Sequence, residues 1–347
     1  MSITGTFDFF IQWHLTERCN LSCRHCYQSG GRGEELSFAE AREVVDEAAD
    51  MIDVWRDRYG IDFDASFNIT GGEPLLRDDL FAILGEIGRR GFNTYVLTNG
   101  TLVDREKSAR LAETGVCGVQ VSLEGPKDIH ESIRGEGSFN AALAGVEHLL
   151  RSGLTVTLNV TLSRLNAGRM QEMVMLASGL GVQRLGFSRF VPSGRGMEMV
   201  GEMLEPAEVK ALYEALLPVR VPGLEIVTGD PVAAQMSAEP GNSAERIPFG
   251  GCAAAVSGLT LLADGTVTPC RRLEIPIGNV RTDSLREIWA TSSVLAQLRD
   301  KRNYGGKCGS CSRWASCRGC RAIAWAYARS RGNSDFLPED PQCFFVD

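Results

Sequence analysis

From the amino terminus to about residue 220 the chain alternates between strand-like and helix-like stretches, and this alternation constrains the fold more than any other feature. Strands are expected at Phe7–Leu15, Ala65–Thr70, Asn93–Thr98, Gly118–Leu123, Thr155–Thr161 and Gln183–Phe190. Helical patterns lie between and after them, at 37–55, 77–90, 105–114, 138–153, 167–180 and 205–217. The first is the clearest: Ser37 and Glu40 form a capping box, and Val44, Val45, Ala48, Ile52 and Trp55 recur on one face. Six strands alternating with six helices imply a parallel sheet. The fold class is therefore α/β, a partial (β/α)6 TIM-like barrel, whose site belongs at the carboxyl ends of the strands.

Unusual residues gather at those ends. Cysteines follow the first strand, and Thr70-Gly71-Gly72-Glu73-Pro74 ends the second. Thr98-Asn99-Gly100 ends the third and Ser122-Leu123-Glu124-Gly125 the fourth; Asn159 lies in the fifth and Ser188-Arg189 in the sixth. Such repetition implies one site at one rim.

Beyond the barrel the periodicity weakens. Residues 229–251 are rich in Pro, Gly, Ser and Ala and read as a linker. Gly258–Leu262 and Thr266–Cys270 then read as a β-hairpin around an Asp264-Gly265 turn, with helices at Ser284–Ala290 and Ser293–Arg299. The expected division is a barrel over 1–225, a linker over 226–250 and a cysteine-rich domain over 251–347. A net charge of -8 argues against a nucleic-acid binder. No apolar run reaches the length of a membrane span. The start, MSITGTFDFFIQWHL, lacks the basic region of a signal peptide, so a cytoplasmic protein is expected.

Eleven cysteines then need a chemical reason. Disulfides are disfavoured in a reducing compartment, which leaves cluster or metal ligation. Cys117 stands alone and is expected to be a plain core residue. Cys19, Cys23 and Cys26 form C-x3-C-x2-C after the first strand. Three thiolates can hold three irons of a [4Fe–4S] cube and leave the fourth open. A zinc site completed by His14 or His25 is the alternative.

The stretch Cys19-Asn20-Leu21-Ser22-Cys23-Arg24-His25-Cys26-Tyr27, with Gly71-Gly72-Glu73-Pro74, resembles the radical SAM superfamily. The resemblance implies that the open iron is chelated by S-adenosylmethionine, which is split reductively to methionine and a 5′-deoxyadenosyl radical that takes a substrate hydrogen. The catalytic cysteines would be Cys19, Cys23 and Cys26. Gly71 and Gly72 would let a backbone edge approach the methionine moiety, with Pro74 closing that motif, and Glu73 would accept hydrogen bonds from its ammonium group. Ser122 and Asn159 would face the ribose, Arg134 would pair with the methionine carboxylate, and His25 would lie near the adenine. Asn99 belongs to the same rim, or serves only as a turn with Gly100.

The later cysteines, Cys252, Cys270, Cys308, Cys311, Cys317, Cys320 and Cys343, resemble the SPASM pattern, with C-x2-C where the last pair is usually C-x3-C. By that resemblance Cys308, Cys311, Cys317 and Cys343 ligate one auxiliary cluster, and Cys252, Cys270 and Cys320 hold another with no evident fourth ligand. Three [4Fe–4S] clusters are thus expected; a zinc ribbon is the alternative. The resemblance implies modification of a peptide or protein, with an electron donor such as flavodoxin or ferredoxin. The first strand begins almost at once, so a peptide would be held by the barrel mouth or a partner protein. Tetrapyrrole modification is the other enzymatic reading, and an idle electron-transfer module the third. Sulfatase-maturing relatives carry an aspartate after the hairpin cysteine; Arg271 and Arg272 stand here. With Arg189 they would make the substrate side cationic.

Overall fold

The computed structural model describes residues 6–28, 33–236 and 248–345. Its strands are β1 (Thr6–His14), β2 (Asp62–Thr70), β3 (Asn93–Thr98), β4 (Gly118–Ser122), β5 (Val156–Leu162), β6 (Arg184–Arg189) and β7 (Glu225–Thr228), followed by β8 (Gly258–Leu261), β9 (Thr266–Thr268) and β10 (Gly278–Asn279). They form one sheet in the order β10-β9-β8-β1-β2-β3-β4-β5-β6-β7. β1 to β7 are parallel throughout, as the alternation requires. The helices wrapping them are α1 (Phe38–Tyr59), α2 (Leu80–Arg89), α3 (Arg105–Glu113), α4 (Lys127–Arg134), α5 (Ser138–Arg151), α6 (Met170–Leu180) and α7 (Pro206–Leu216). The carboxyl-terminal part adds α8 (Leu285–Thr291), α9 (Ser293–Leu298), α10 (Gly306–Ser310) and α11 (Arg321–Ser330).

The capping box of α1 is formed, and its face Val44, Val45, Ala48, Ile52 and Trp55 is buried with Ala41 and Met51. Along β5 every second residue is buried, from Val156 to Leu162. Those apolar positions back onto helices, while Asn159 and Thr161 alternate to the other face and line the barrel cavity. The sheet thereby turns a polar row inward and an apolar row outward.

Elements without an expected counterpart are β7 and α4 in the barrel, and β10, α10 and α11 beyond it. β7 is a seventh parallel strand at the edge of the barrel, and its residues 226–228 fall in the expected linker. Of that linker, residues 237–247 lie outside the described residues. α4 lies between β4 and α5, where the sequence pattern marked no helix. The hairpin forms around Asp264-Gly265, where Gly265 takes φ +86° and Asp264 Oδ1 accepts the Thr266 N–H at 3.0 Å. It joins the barrel sheet directly, because β8 pairs in parallel with β1. Gly258 makes this possible: a Cβ there would lie 2.9 Å from the Phe10 carbonyl oxygen. Cys117 is exposed rather than a core residue, at the foot of β4.

Candidate active site

A cavity of about 920 Å³ opens at the carboxyl ends of the strands. Cys19, Cys23 and Cys26 reach it from the loop after β1, with His25 and Tyr27 between and beyond them. Gly71 and Gly72 reach it from the end of β2, Asn99 from β3, Ser122 from β4 and Asn159 from β5. Ser122 and Asn159 are register partners across β4 and β5, so a hydroxyl and an amide stand side by side on one wall.

The glycine pair lines the cavity and also serves the cysteine loop. A Cβ on Gly71 would collide with the Thr16 carbonyl oxygen, and one on Gly72 with the Arg18 carbonyl oxygen. Both residues make room for the cysteine loop itself. Gly72 N–H donates to Thr16 O at 2.7 Å and Glu73 N–H to Arg18 O at 2.8 Å. The motif after β2 is thus the bed on which the cysteine loop lies.

Glu73 is fully buried behind that bed. Its carboxylate accepts the Thr98 hydroxyl at 2.8 Å, the Asn99 N–H at 2.8 Å and the Leu75 N–H at 3.2 Å. It ties the end of β2 to the end of β3 and does not line the cavity, contrary to its expected contact with the methionine ammonium. Burial raises its pKa. Pro74, buried behind it, starts a 3-10 turn. Asn99 donates to Asn20 Oδ1 at 2.9 Å and its own Oδ1 accepts the Thr101 N–H at 2.9 Å, which joins the third rim to the cysteine loop.

Arg134 lines the cavity but already has an acidic partner. Its Nε donates to Glu124 Oε1 at 2.9 Å, and its Nη1 points at Cys23 Sγ from 3.8 Å. The expected pairing with a cofactor carboxylate therefore competes with Glu124. Glu124, fully buried, also meets His25 Nε2 at 3.1 Å and accepts the Thr161 N–H at 2.8 Å. Burial alone would raise its pKa; the Arg134 guanidinium, then His25, hold it well below the ordinary carboxylate range. Glu124 orients both neighbours of the cysteine loop. It stood in the sequence as one member of a rim motif, and its charge between Leu123 and Gly125 was the only signal of this role.

Neither histidine completes a zinc site. His14 meets the Tyr27 hydroxyl at 3.3 Å and the Gln28 amide at 3.1 Å, and His25 meets Glu124. Among the described residues no group of three His, Cys, Asp or Glu side chains is placed to hold a single metal ion. The three thiols instead stand around one end of an open cavity, an arrangement suited to a cluster with corners. Burial raises the pKa of Cys19 and Cys23, so their thiolates need the charge of bound iron.

A second cavity, of about 740 Å³, is lined by Cys308, Cys311, Cys317 and Cys343 together with Trp314 and Phe345. Cys252 and Cys320 adjoin this lining. Cys252 N–H donates to Cys317 O at 3.0 Å, across an approach that Gly251 at φ +73° permits. Burial pushes the Cys320 thiol up to about 12, although Arg272 draws it down, and Cys252 adds to the rise. Arg272 also feels the Cys270 thiol. Arg272, which lines the first cavity, thus feels both the Cys270 and the Cys320 thiols. Arg189, expected to face substrate, is instead fully buried between Asp230 at 2.6 Å and Asp340 at 2.8 Å.

Comparison with known proteins agrees with this layout. The family model of the radical SAM superfamily matches residues 13–177, and that of the SPASM iron–sulfur cluster-binding domain matches residues 252–321. The AdoMet-dependent heme synthase of Methanosarcina barkeri is 31% identical, over 96% of this chain and 96% of its own. The chain belongs to the radical SAM superfamily, in its SPASM branch. The mycofactocin maturase MftC of Mycobacterium ulcerans is also 31% identical, over 89% of this chain and 81% of its own. Among solved structures, Streptococcus suis SuiB bound to S-adenosylmethionine shares the fold, with a TM-score of 0.74 at 16% identity over 97% of this chain and 75% of SuiB. This radical SAM/SPASM protein is an enzyme that binds S-adenosylmethionine and iron–sulfur clusters. No helix among its described residues is long and apolar enough to cross a membrane.

Proposed function

We propose that this radical SAM/SPASM enzyme abstracts hydrogen from a carboxylate-bearing tetrapyrrole of the haem series. One observation carries the reading: among the described residues the cavity beside the cysteine loop is lined by Arg134, Arg195, Arg271 and Arg272 and by no aspartate or glutamate. A wall of this kind favours an anionic substrate. The near-complete two-way coverage of the heme synthase relative supports the same class.

When bound, the amino-terminal cluster and S-adenosylmethionine supply a 5′-deoxyadenosyl radical. The chain's own residues hold and shield that chemistry. Cys19, Cys23 and Cys26, all on the cavity wall, would hold three irons of that cluster and leave the fourth for the cofactor. Ser122 and Asn159 offer a hydroxyl and an amide to the ribose. Glu124 fixes His25 on the cysteine loop, where it would meet the adenine, and Arg134 beside Cys23. Tyr27, Phe190 and Val191 line the wall and exclude water. Cys308, Cys311, Cys317 and Cys343 would hold a second cluster, and Cys252, Cys270 and Cys320 a third, with electrons supplied by a donor such as flavodoxin or ferredoxin.

A peptide or protein substrate is the second reading, favoured by the maturase relative at equal identity. Anaerobic reconstitution with S-adenosylmethionine, reductant and an iron porphyrin bearing propionates tests the first. The porphyrin should be consumed as 5′-deoxyadenosine forms. An untouched porphyrin with a peptide consumed instead transfers the assignment to the second reading. Absence of 5′-deoxyadenosine under every condition overturns both.

A further inference from the structure

The four arginines of the cavity are not equivalent. Arg134 is paired with Glu124. Arg195 is exposed and gives its Nε to the Cys23 carbonyl at 3.0 Å. Arg272 gives Nη1 to the Arg189 carbonyl at 3.2 Å and turns its Nε into the protein without a partner. Of the four, Arg271 alone makes no hydrogen bond and no ion pair with the described residues. Its guanidinium is half-buried and lies over the ring of Tyr27, 5.8 Å from the centroid. The ring is itself held, its hydroxyl 3.3 Å from His14 Nε2.

We propose that Arg271 is the specificity residue that binds a carboxylate of the substrate, using the face of Tyr27 as its platform. The proposal deepens the anionic-substrate reading and rests on it. A guanidinium taken partly from water with no acidic partner is costly. A carboxylate in the cavity removes that cost, and the planar fork accepts it with two parallel hydrogen bonds. Position adds a constraint. Arg271 follows Cys270 and Tyr27 follows Cys26, so a carboxylate held there sits between the amino-terminal thiol loop and Cys270. The remainder of the substrate then extends over the rim where Ser122 and Asn159 stand.

The test uses the reconstituted full-length enzyme and four probes: phenylglyoxal, citrate, iron coproporphyrin and its tetramethyl ester. Phenylglyoxal should modify Arg271 faster than the paired Arg134, with citrate protecting it. Arg271→Gln should bind iron coproporphyrin at least tenfold more weakly than the wild type, with ester binding unchanged and Arg271→Lys between the two. Iron content and the change in the cluster's electron paramagnetic resonance on adding S-adenosylmethionine should stay as in the wild type. Failure of citrate to protect Arg271, or wild-type affinity of Arg271→Gln for the free acid, overturns the proposal. Loss of iron in Arg271→Gln also overturns it, assigning the guanidinium to the cysteine loops. Citrate protection without any porphyrin binding retires the tetrapyrrole reading and leaves the carboxylate site standing.

Discussion

The carboxylate of Asp340 accepts the backbone N–H of Cys320 at 2.8 Å, and Arg189 at the end of β6 grips the same oxygen from the other side at 2.8 Å. The barrel rim and the carboxyl-terminal cysteines are thus joined through one fully buried ion pair. Arg189 also feels Asp230, and Gln342 donates to the Leu204 carbonyl at 2.7 Å, closing the network.

Removing Asp340 should therefore loosen the cysteines more than the barrel. Asp340→Ala leaves the Cys320 N–H without its acceptor and Arg189 with one carboxylate instead of two, a loss of roughly 3–5 kcal/mol for a broken buried pair. Asp340→Asn keeps an oxygen for Cys320 and should lose less. Thermal bleaching of cluster absorbance measures it: the midpoint should fall in the order wild type, Asn, Ala. Equal midpoints for Asn and Ala would show that the hydrogen bond to Cys320 contributes nothing.

Gly72 of the rim motif and Gly85 of α2 should respond to alanine in opposite ways. A methyl at Gly72 meets the backbone of the cysteine loop, which cannot yield without moving Cys19. Gly72→Ala should lose the iron of the amino-terminal cluster, about four atoms per chain. Gly85 lies inside α2, where an added Cβ would meet nothing within 4 Å, and Gly85→Ala should raise stability by about 0.5–1 kcal/mol. Iron analysis and denaturant titration read the two effects separately.

The contrast explains what the sequence could reveal. Period-two apolar patterns and rim residues marked β1 to β6, because each strand is long enough to alternate. β7 has four residues and opens with Glu225, so no alternation shows. α4 is polar except at Ile129 and Ile133, with His130 buried beside them, too little for a helical stripe to stand out. The cavity-lining residues were legible because their types are rare at strand ends. The true partners of Gly72, Glu73 and Arg189 were not, since each is met by a segment distant in sequence; Arg189 and Asp340 are 151 positions apart. No local pattern records such a contact.

Cysteine substitutions should separate the three thiol groups. Cys23→Ala should abolish 5′-deoxyadenosine formation while about eight irons per chain remain. Cys311→Ala and Cys343→Ala should remove about four irons each time, and the same four, so the double variant loses no more than either single one. Exposed Cys117→Ala should leave both readouts unchanged. Additive iron loss for Cys311 and Cys343 would place them in different centres.

His130 gives the protein a pH dependence with a definite direction. Its Nδ1 accepts the Glu124 N–H at 3.2 Å, and burial, with Arg134 adding to it, lowers its pKa to about 4. In the unfolded chain an imidazole binds its proton near pH 6.5. Between those values the unfolded state holds more protons than the folded one, so stability falls as pH drops from about 6.5 toward 4. The full loss is on the order of 3 kcal/mol. Glu124, whose pKa is depressed, keeps its contribution through this window and loses it only below the ordinary carboxylate range, so the two groups act at different pH. His130→Gln offers an amide acceptor that does not titrate here. Its unfolding midpoint should vary less between pH 7 and pH 5 than that of the wild type, and equal slopes would remove His130 as the source.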